Sequence, residues 1–392
     1  MSDDEPKIRP DTRLVQAGRR KEWTGSLVNV PVERTSTMIF GDVAEMDQAY
    51  PPKDGRPSYG RNGARTHWSL AEALTELEPG AAGTKLFPSG AGAVAMALLT
   101  VLKSGDELLM VDSAYEPTRS FCDHVLKKNG VRTIYYDPRL DADGVAGLCT
   151  DKTGAIFLES PGSLTFEVQD VPGICAMAKA RGIPTLLDNT WATPLFFPAI
   201  SKGVDLSILA CTKYIGGHSD VMLGSVTAAP AWFDALAKTY RNYGQHIGAD
   251  DAFLAARGLR TLGVRLRAHR DNALTVARWL KAHSAVERLL HPAFDECVGH
   301  EYWKRDFLGS SGLFSFVLKD GGRAEASAIV DRLRHFGIGY SWGGFESLAI
   351  PVSVDRSTNN ELKGRAVIRL QIGLEDPQDL IEDLEQALRS AS

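Results

Sequence analysis

Several short stretches carry side chains that could do chemistry together. Ser89-Gly90-Ala91-Gly92 follows a short apolar run and opens a helical pattern. Small residues there let backbone N–H groups approach an anion, and the helix dipole favours a phosphate. Tyr115, just past Val111-Asp112, is an aromatic that would stack on a flat ligand. Asp188 ends the run Leu186-Leu187, a carboxylate at the crevice end of a buried strand, and Thr212 and Lys213 follow Leu209-Ala210-Cys211. Arg369 stands inside the apolar pattern Val367, Ile368, Leu370, where a guanidinium needs an anionic partner. Phosphate cradle, ring stacker, buried acid, strand-end amine and carboxylate-binding guanidinium are together what pyridoxal 5′-phosphate needs to act on an amino acid. The lysine would form its Schiff base, the acid would keep the pyridine nitrogen protonated, and the arginine would grip the substrate carboxylate with a bidentate fork.

Singly, each residue has an ordinary structural use: a surface lysine, a capping aspartate, a core tyrosine, an ion-paired arginine. A different cofactor also competes. Gly90-Ala91-Gly92-Ala93-Val94-Ala95 fits G-x-G-x-x-G/A, and Asp112 falls 20 residues after Gly92 at a strand end, as in a dinucleotide site. That reading, a nicotinamide oxidoreductase, leaves Lys213, Asp188 and Arg369 unexplained.

These residues need elements to hold them. Strands are expected at 85–87, 107–112, 131–136, 155–159, 184–188 and 206–211, with helices at 91–102, 117–128 and 174–181 between them. Such alternation implies a mostly parallel sheet covered on both faces, with ligands at the carboxyl ends of its strands. A helical pattern from Asp250 to about His283, broken at Gly258 and Gly263, carries the chain out of this unit. Strands near 312–318 and 366–372 and helices near 324–336 and 377–390 suit a smaller α/β domain. Residues 1–62, rich in Pro and Gly, leave little room for a long helix and should lie across another surface, such as a second subunit.

Composition narrows the class. With 392 residues the chain exceeds one hydrophobic core. A net charge of −5 gains little from counterion release, which argues against nucleic acid. The longest uncharged stretch, Leu86–Leu102, is a loop and a buried helix rather than a membrane span. Acidic Met1-Ser-Asp-Asp-Glu5 is unlike a secretory signal, and 5 scattered cysteines suggest reduced thiols in a cytoplasmic protein.

The blocks Leu186-Leu187-Asp188-Asn189-Thr190-Trp191-Ala192-Thr193-Pro194 and Thr212-Lys213-Tyr214-Ile215-Gly216-Gly217-His218-Ser219-Asp220 resemble those of the Cys/Met-metabolism family of pyridoxal-phosphate enzymes. Tyr59-Gly60-Arg61, Ser89-Gly90-Ala91, Ser341-Trp342-Gly343-Gly344 and Arg369-Leu370-Gln371-Ile372-Gly373 match further blocks, in order, over nearly the whole chain. The resemblance implies an α/β chain of fold type I, like aspartate aminotransferase. An N-terminal arm (1–62) would contact a neighbouring subunit, a cofactor domain with a mostly parallel seven-stranded sheet would span 63–258, and a C-terminal domain 259–392.

It further implies that Lys213 holds the cofactor and shuttles protons, that Asp188 pairs with its ring nitrogen, and that Tyr115 stacks on its ring. Gly90, Ala91 and Thr212 would bind phosphate, joined by Tyr59 and Arg61 from a second copy within a tetramer of two dimers. Arg369, with Ser341, Trp342 and Tyr340, would bind the substrate. Ala210 in place of a serine, Ser163 in place of an asparagine and Tyr340 in place of a glutamate depart from the broad family pattern and resemble its β-eliminating branch. As do Glu159-Ser-Pro-Gly-Ser163 and the stretch Gly258 to Arg267. The expected reaction is therefore β-elimination of L-cystathionine to L-homocysteine, pyruvate and ammonia, with Tyr115 or Tyr59 deprotonating the incoming amine, and cystine or other cysteine S-conjugates as further substrates. A γ-lyase or γ-synthase is the alternative within the family.

No metal is expected. His218-Ser-Asp220 and Asp141-Ala-Asp143-Gly144 each lack a full ligand set. The arginines at 257, 260, 265, 267 and 270 suggest salt bridges between subunits or domains, and Cys211 should face away from Thr212.

Overall fold

Strands buried on both faces need helices above and below them, and the central sheet is built from such strands. The computed structural model describes residues 8–389, so the acidic first residues and the expected helix end at Ser390 lie outside it. The strands are β1 (Gly83–Phe87), β2 (Glu107–Val111), β3 (Arg132–Tyr136), β4 (Thr153–Glu159), β5 (Thr185–Asp188), β6 (Leu206–Leu209) and β7 (Gly224–Ala228). Their order is β1-β7-β6-β5-β4-β2-β3. β7 is antiparallel to both neighbours and the other pairs are parallel, so six strands run the same way and end on one edge. Sequence pattern missed β7, because Ser225 and Thr227 interrupt any apolar run.

A second sheet contains β8 (Val286–Leu290), β9 (Leu313–Leu318), β10 (Leu348–Val352) and β11 (Val367–Gln371), in the order β10-β11-β9-β8, all antiparallel. β8 and β10 were not expected. Both are edge strands, and Pro351 in β10 is tolerated because an edge N–H needs no ladder partner.

The helix Leu262–Ala282 ties the two cores together. Leu262 and Leu266 pack into the core around the large sheet, while Ala273, Val276, Ala277 and Leu280 pack with Phe314 and Phe316 under the small one. Burying a side chain such as Phe316 contributes about 1.5–3 kcal/mol. The helical break falls at Thr261, not at the two glycines. Gly258 lies inside a helix for a packing reason: a Cβ there would stand 2.2 Å from the Gly216 carbonyl oxygen.

Among its described residues the arm holds short helices, Pro10–Gln16, Lys21–Thr24 and Val43–Gln48, and a 3-10 turn at Gly60–Asn62. Two of the arginines anchor it within its own chain. Arg260 donates to the Leu14 and Ala17 carbonyls at 2.8 Å, and Arg267 pairs with Asp11 at 2.8 Å. Beyond that anchor Val28, Ile39 and Tyr50 present apolar side chains to solvent, Ile39 at 91% exposure.

Candidate active site

The common edge of the parallel strands gathers the predicted residues. Asp188 is the last residue of β5, Lys213 lies four residues beyond β6, and Tyr115 four beyond β2. Ser89 caps the helix Gly90–Val101, its hydroxyl accepting from the Gly92 N–H at 3.0 Å. The Gly90 and Ala91 N–H groups belong to the first turn, where no intrahelical partner exists. A Cβ on Gly90 would stand 2.6 Å from the Ala210 Cβ, so only glycine lets this helix start sit against the turn that carries Thr212 and Lys213. The Thr212 hydroxyl accepts from the Leu223 N–H at 3.0 Å and donates back to the Leu223 carbonyl at 3.2 Å.

Asp188 is organised by Thr190. The Thr190 N–H and hydroxyl both donate to Asp188 Oδ1, at 3.0 and 2.6 Å, and the same hydroxyl accepts from the Ala210 N–H at 2.9 Å. Both donors fall on one oxygen, so Oδ2 takes no bond from Thr190. Burial pushes the Asp188 carboxyl up, while the Thr190 hydrogen bonds and the Lys213 charge oppose it. Thr190 was quoted in the sequence only as part of a motif; its position two residues after the acid is the signal for this role.

The Lys213 amine donates to the Ser341 hydroxyl at 3.0 Å and lies 5.5 Å from the Trp342 ring centroid. Burial holds it down at about 8, helped by the Arg369 charge and opposed by Asp188. Arg369, central in β11, donates through Nη2 to the Tyr340 carbonyl at 2.7 Å and the Ser341 carbonyl at 3.3 Å. Its buried Nε has no partner among the described residues, the condition expected of a guanidinium that binds a ligand carboxylate. The Tyr340 side chain itself is exposed, so only its backbone touches Arg369.

Tyr59 and Arg61 stand apart from this group. Arg61 donates to the Arg241 carbonyl at 2.9 Å, and Tyr59 is half exposed on the arm.

The dinucleotide reading does not survive the topology. β1 and β2 are separated by four other strands, so no βαβ unit follows the glycine motif. Asp112 is fully buried and consumed by Arg119 and by the Thr358 N–H and hydroxyl, at 2.6 and 2.7 Å for the latter two. Cys211 lies beyond the end of β6, in a turn; its thiol donates to the Ser225 hydroxyl and burial pushes it up to about 12. The His218 ring bonds the Gly216 carbonyl at 2.8 Å, and Asp141 caps a helix through the Gly144 N–H.

A helix N-terminus beside a strand-end lysine, a strand-end acid with both Thr190 donors on one oxygen and an arginine with an unmatched N–H are the kinds of donor and acceptor that pyridoxal phosphate and an amino-acid carboxylate require. The chain belongs to the Cys/Met metabolism PLP-dependent enzymes, whose family model it matches over residues 11–389. It is 45% identical to cystathionine beta-lyase MetC of Escherichia coli strain K12, over 96% of this chain and 97% of that one. It is 40% identical to an L-alanine/L-glutamate racemase of Wolbachia pipientis wMel, over 97% of each. The solved structure of metB from Corynebacterium glutamicum superposes with a TM-score of 0.90 at 27% identity, covering 98% of this chain and 99% of that one. Among the described residues no helix is long and apolar enough to cross a membrane.

Proposed function

We propose that the protein is a carbon–sulfur lyase that cleaves L-cystathionine by β-elimination to L-homocysteine, pyruvate and ammonia, and that it also accepts cystine and other cysteine S-conjugates. The observation that carries this reading is that Lys213 Nζ and Arg369 Nη2 converge on Ser341, at 3.0 and 3.3 Å, while the buried Arg369 Nε keeps no partner among the described residues. Likeness to the Escherichia coli lyase over nearly the full length supports the choice of bond.

Pyridoxal phosphate supplies an aldehyde that a lysine amine can hold and a ring that takes up the electron pair left at Cα. Lys213, Asp188 and Tyr115 would hold it, with Gly90, Ala91 and Thr212 at its phosphate. Arg369, with the backbone at Tyr340 and Ser341, fixes the substrate carboxylate, and Trp342 walls the cleft. The proton of the incoming ammonium goes to the phenolate of Tyr115 or Tyr59; the Arg369 charge favours that state at Tyr115 against the burial that opposes it. Lys213 Nζ then takes the Cα proton, the Cβ–S bond breaks, and the proton is returned to the departing thiolate. Ser341, as the acceptor from that amine, orients it.

Tyr59 and Arg61, on an arm with exposed apolar residues, would reach the phosphate in a second copy, and two such pairs would make a tetramer of a cytoplasmic enzyme. The division into an arm at 1–62, a cofactor domain at 63–258 and a C-terminal domain at 259–392 belongs to the same proposal.

The test is incubation of the purified yellow protein with L-cystathionine and identification of the keto acid. Pyruvate supports the reading. 2-Oxobutyrate would replace it with γ-elimination. The racemase relative supplies one more assay: proton removal at Cα is shared by both chemistries, so D-alanine formation from L-alanine without pyruvate from cystathionine would overturn the lyase assignment.

A further inference from the structure

Asp188 does not stand alone. β4 and β5 are parallel neighbours, and their register pairs Glu159 with Asp188, both the last residues of their strands. Two carboxyls therefore lie side by side at the floor of the site. Glu159 is only 9% exposed, and its Oε2 accepts the Tyr115 backbone N–H at 2.7 Å. Tyr115 precedes the helix Glu116–Phe121 and has no side-chain cap, so Glu159 fixes the backbone from which the stacking ring projects.

Neighbouring carboxyls withdrawn from water resist both holding a charge without cations to match. Asp188 has two donor bonds from Thr190 and faces Lys213. Glu159 forms no ion pair among the described residues. The cation beside it, Arg356, turns its Nη2 to the Ser163 carbonyl at 2.6 Å and the Thr165 hydroxyl at 3.2 Å. Burial first, and then the Asp188 charge, push the Glu159 carboxyl well above the usual range; the Tyr115 N–H and Arg356 oppose this more weakly.

We propose that Glu159 is a positioning residue that works as the neutral acid: it pins the Tyr115 backbone N–H and leaves the one negative charge of the pair on Asp188. The cofactor ring then meets a single anion, aimed at its nitrogen, rather than a charge shared between two acids. The inference rests on the assignment of Asp188 to the ring nitrogen but not on which amino acid is cleaved.

The holoenzyme and its Glu159→Gln variant decide it. An infrared difference spectrum near neutral pH should contain the C=O stretch of a protonated carboxyl that the variant lacks. The pH midpoint of the visible cofactor band should be the same in both, and kcat/KM should agree within about twofold, because the amide still accepts from Tyr115. Carboxylate bands in that difference spectrum, or a midpoint moved by about one unit, tenfold in the proton equilibrium, would overturn the proposal. Glu159→Leu removes the acceptor and should lower kcat/KM about tenfold while leaving the band midpoint in place. Wild-type turnover of cystathionine, measured alongside, reports separately on the lyase reading.

Discussion

Lys213 Nζ and Ser341 Oγ lie 3.0 Å apart although 128 residues separate them in the chain. The lysine follows a strand of the large sheet, and the serine sits in the loop before β10 of the small one. The hydrogen bond therefore joins the two sheets at the reacting amine, and Arg369 reinforces the same loop through the Tyr340 and Ser341 carbonyls. The geometry of the amine depends on how the two sheets sit against each other.

Replacing that amine tests the centre of the mechanism. Lys213→Ala should lose the visible cofactor absorbance and lower kcat by roughly four orders of magnitude, as removal of a catalytic nucleophile or base does elsewhere. Absorbance spectra and steady-state pyruvate release measure both. Full activity in this variant would refute the site.

Asp188→Asn keeps the shape and the Thr190 hydrogen bonds but removes the charge. The expected loss in kcat is about 100-fold or more, in line with removing one preorganised electrostatic contact. Thr190→Val should act in the same direction more weakly, since the backbone N–H still donates to Asp188. A comparison of kcat in the two variants checks the order.

Arg369→Lys retains a cation but loses the fork that a carboxylate matches bidentately. The expected effect is a loss in kcat/KM of about 30-fold, roughly 2 kcal/mol, carried mainly by KM. Substrate saturation curves separate the two parameters; a change confined to kcat would argue that Arg369 does not bind the ground-state carboxylate.

Rates should also follow the amine. Burial sets Lys213 at about 8, so before the cofactor binds, trapping of the aldehyde by the free base should speed up as pH rises through that value and level off above it. Stopped-flow mixing of the apoprotein with pyridoxal phosphate across this range measures it. A flat profile would contradict the burial argument.

Stability should fall in acid for a different reason. Burial pushes His291 down to about 3 and His269 to about 4, so neither takes a proton in the folded state as pH drops below the unfolded value near 6.5. The unfolded chain binds more protons there, and stability is lost as pH falls from about 6.5 toward 3. Between pH 7 and 5 each histidine should cost roughly 2 kcal/mol. His291→Asn keeps an acceptor for the Ala293 N–H and should flatten part of that slope in urea unfolding.

Local chemistry made much of this protein legible before any tertiary structure. Apolar runs such as Leu108-Leu109-Met110-Val111 demand burial on both faces, so they declare parallel strands, and Asp188 and Lys213 could be placed because a residue just past such a run must emerge at the carboxyl edge of the sheet. Glu159 carried the same positional signal and was passed over because a single carboxylate at a strand end does not announce a neighbour. β7 and β10 stayed hidden since Ser225, Thr227 and Pro351 spoil the apolar pattern that identifies a strand.

Strand order was beyond reach of the sequence, because hydrogen bonding between strands is a long-range choice that local propensity does not encode. That order separated β1 from β2, removed the dinucleotide site and set Glu159 beside Asp188, while the loop after β10 brought Thr358 to Asp112. Residue types determined which chemistry was available; pairing and packing decided how far each acid and the amine are shifted from their ordinary values, since both depend on what burial places within a few ångströms.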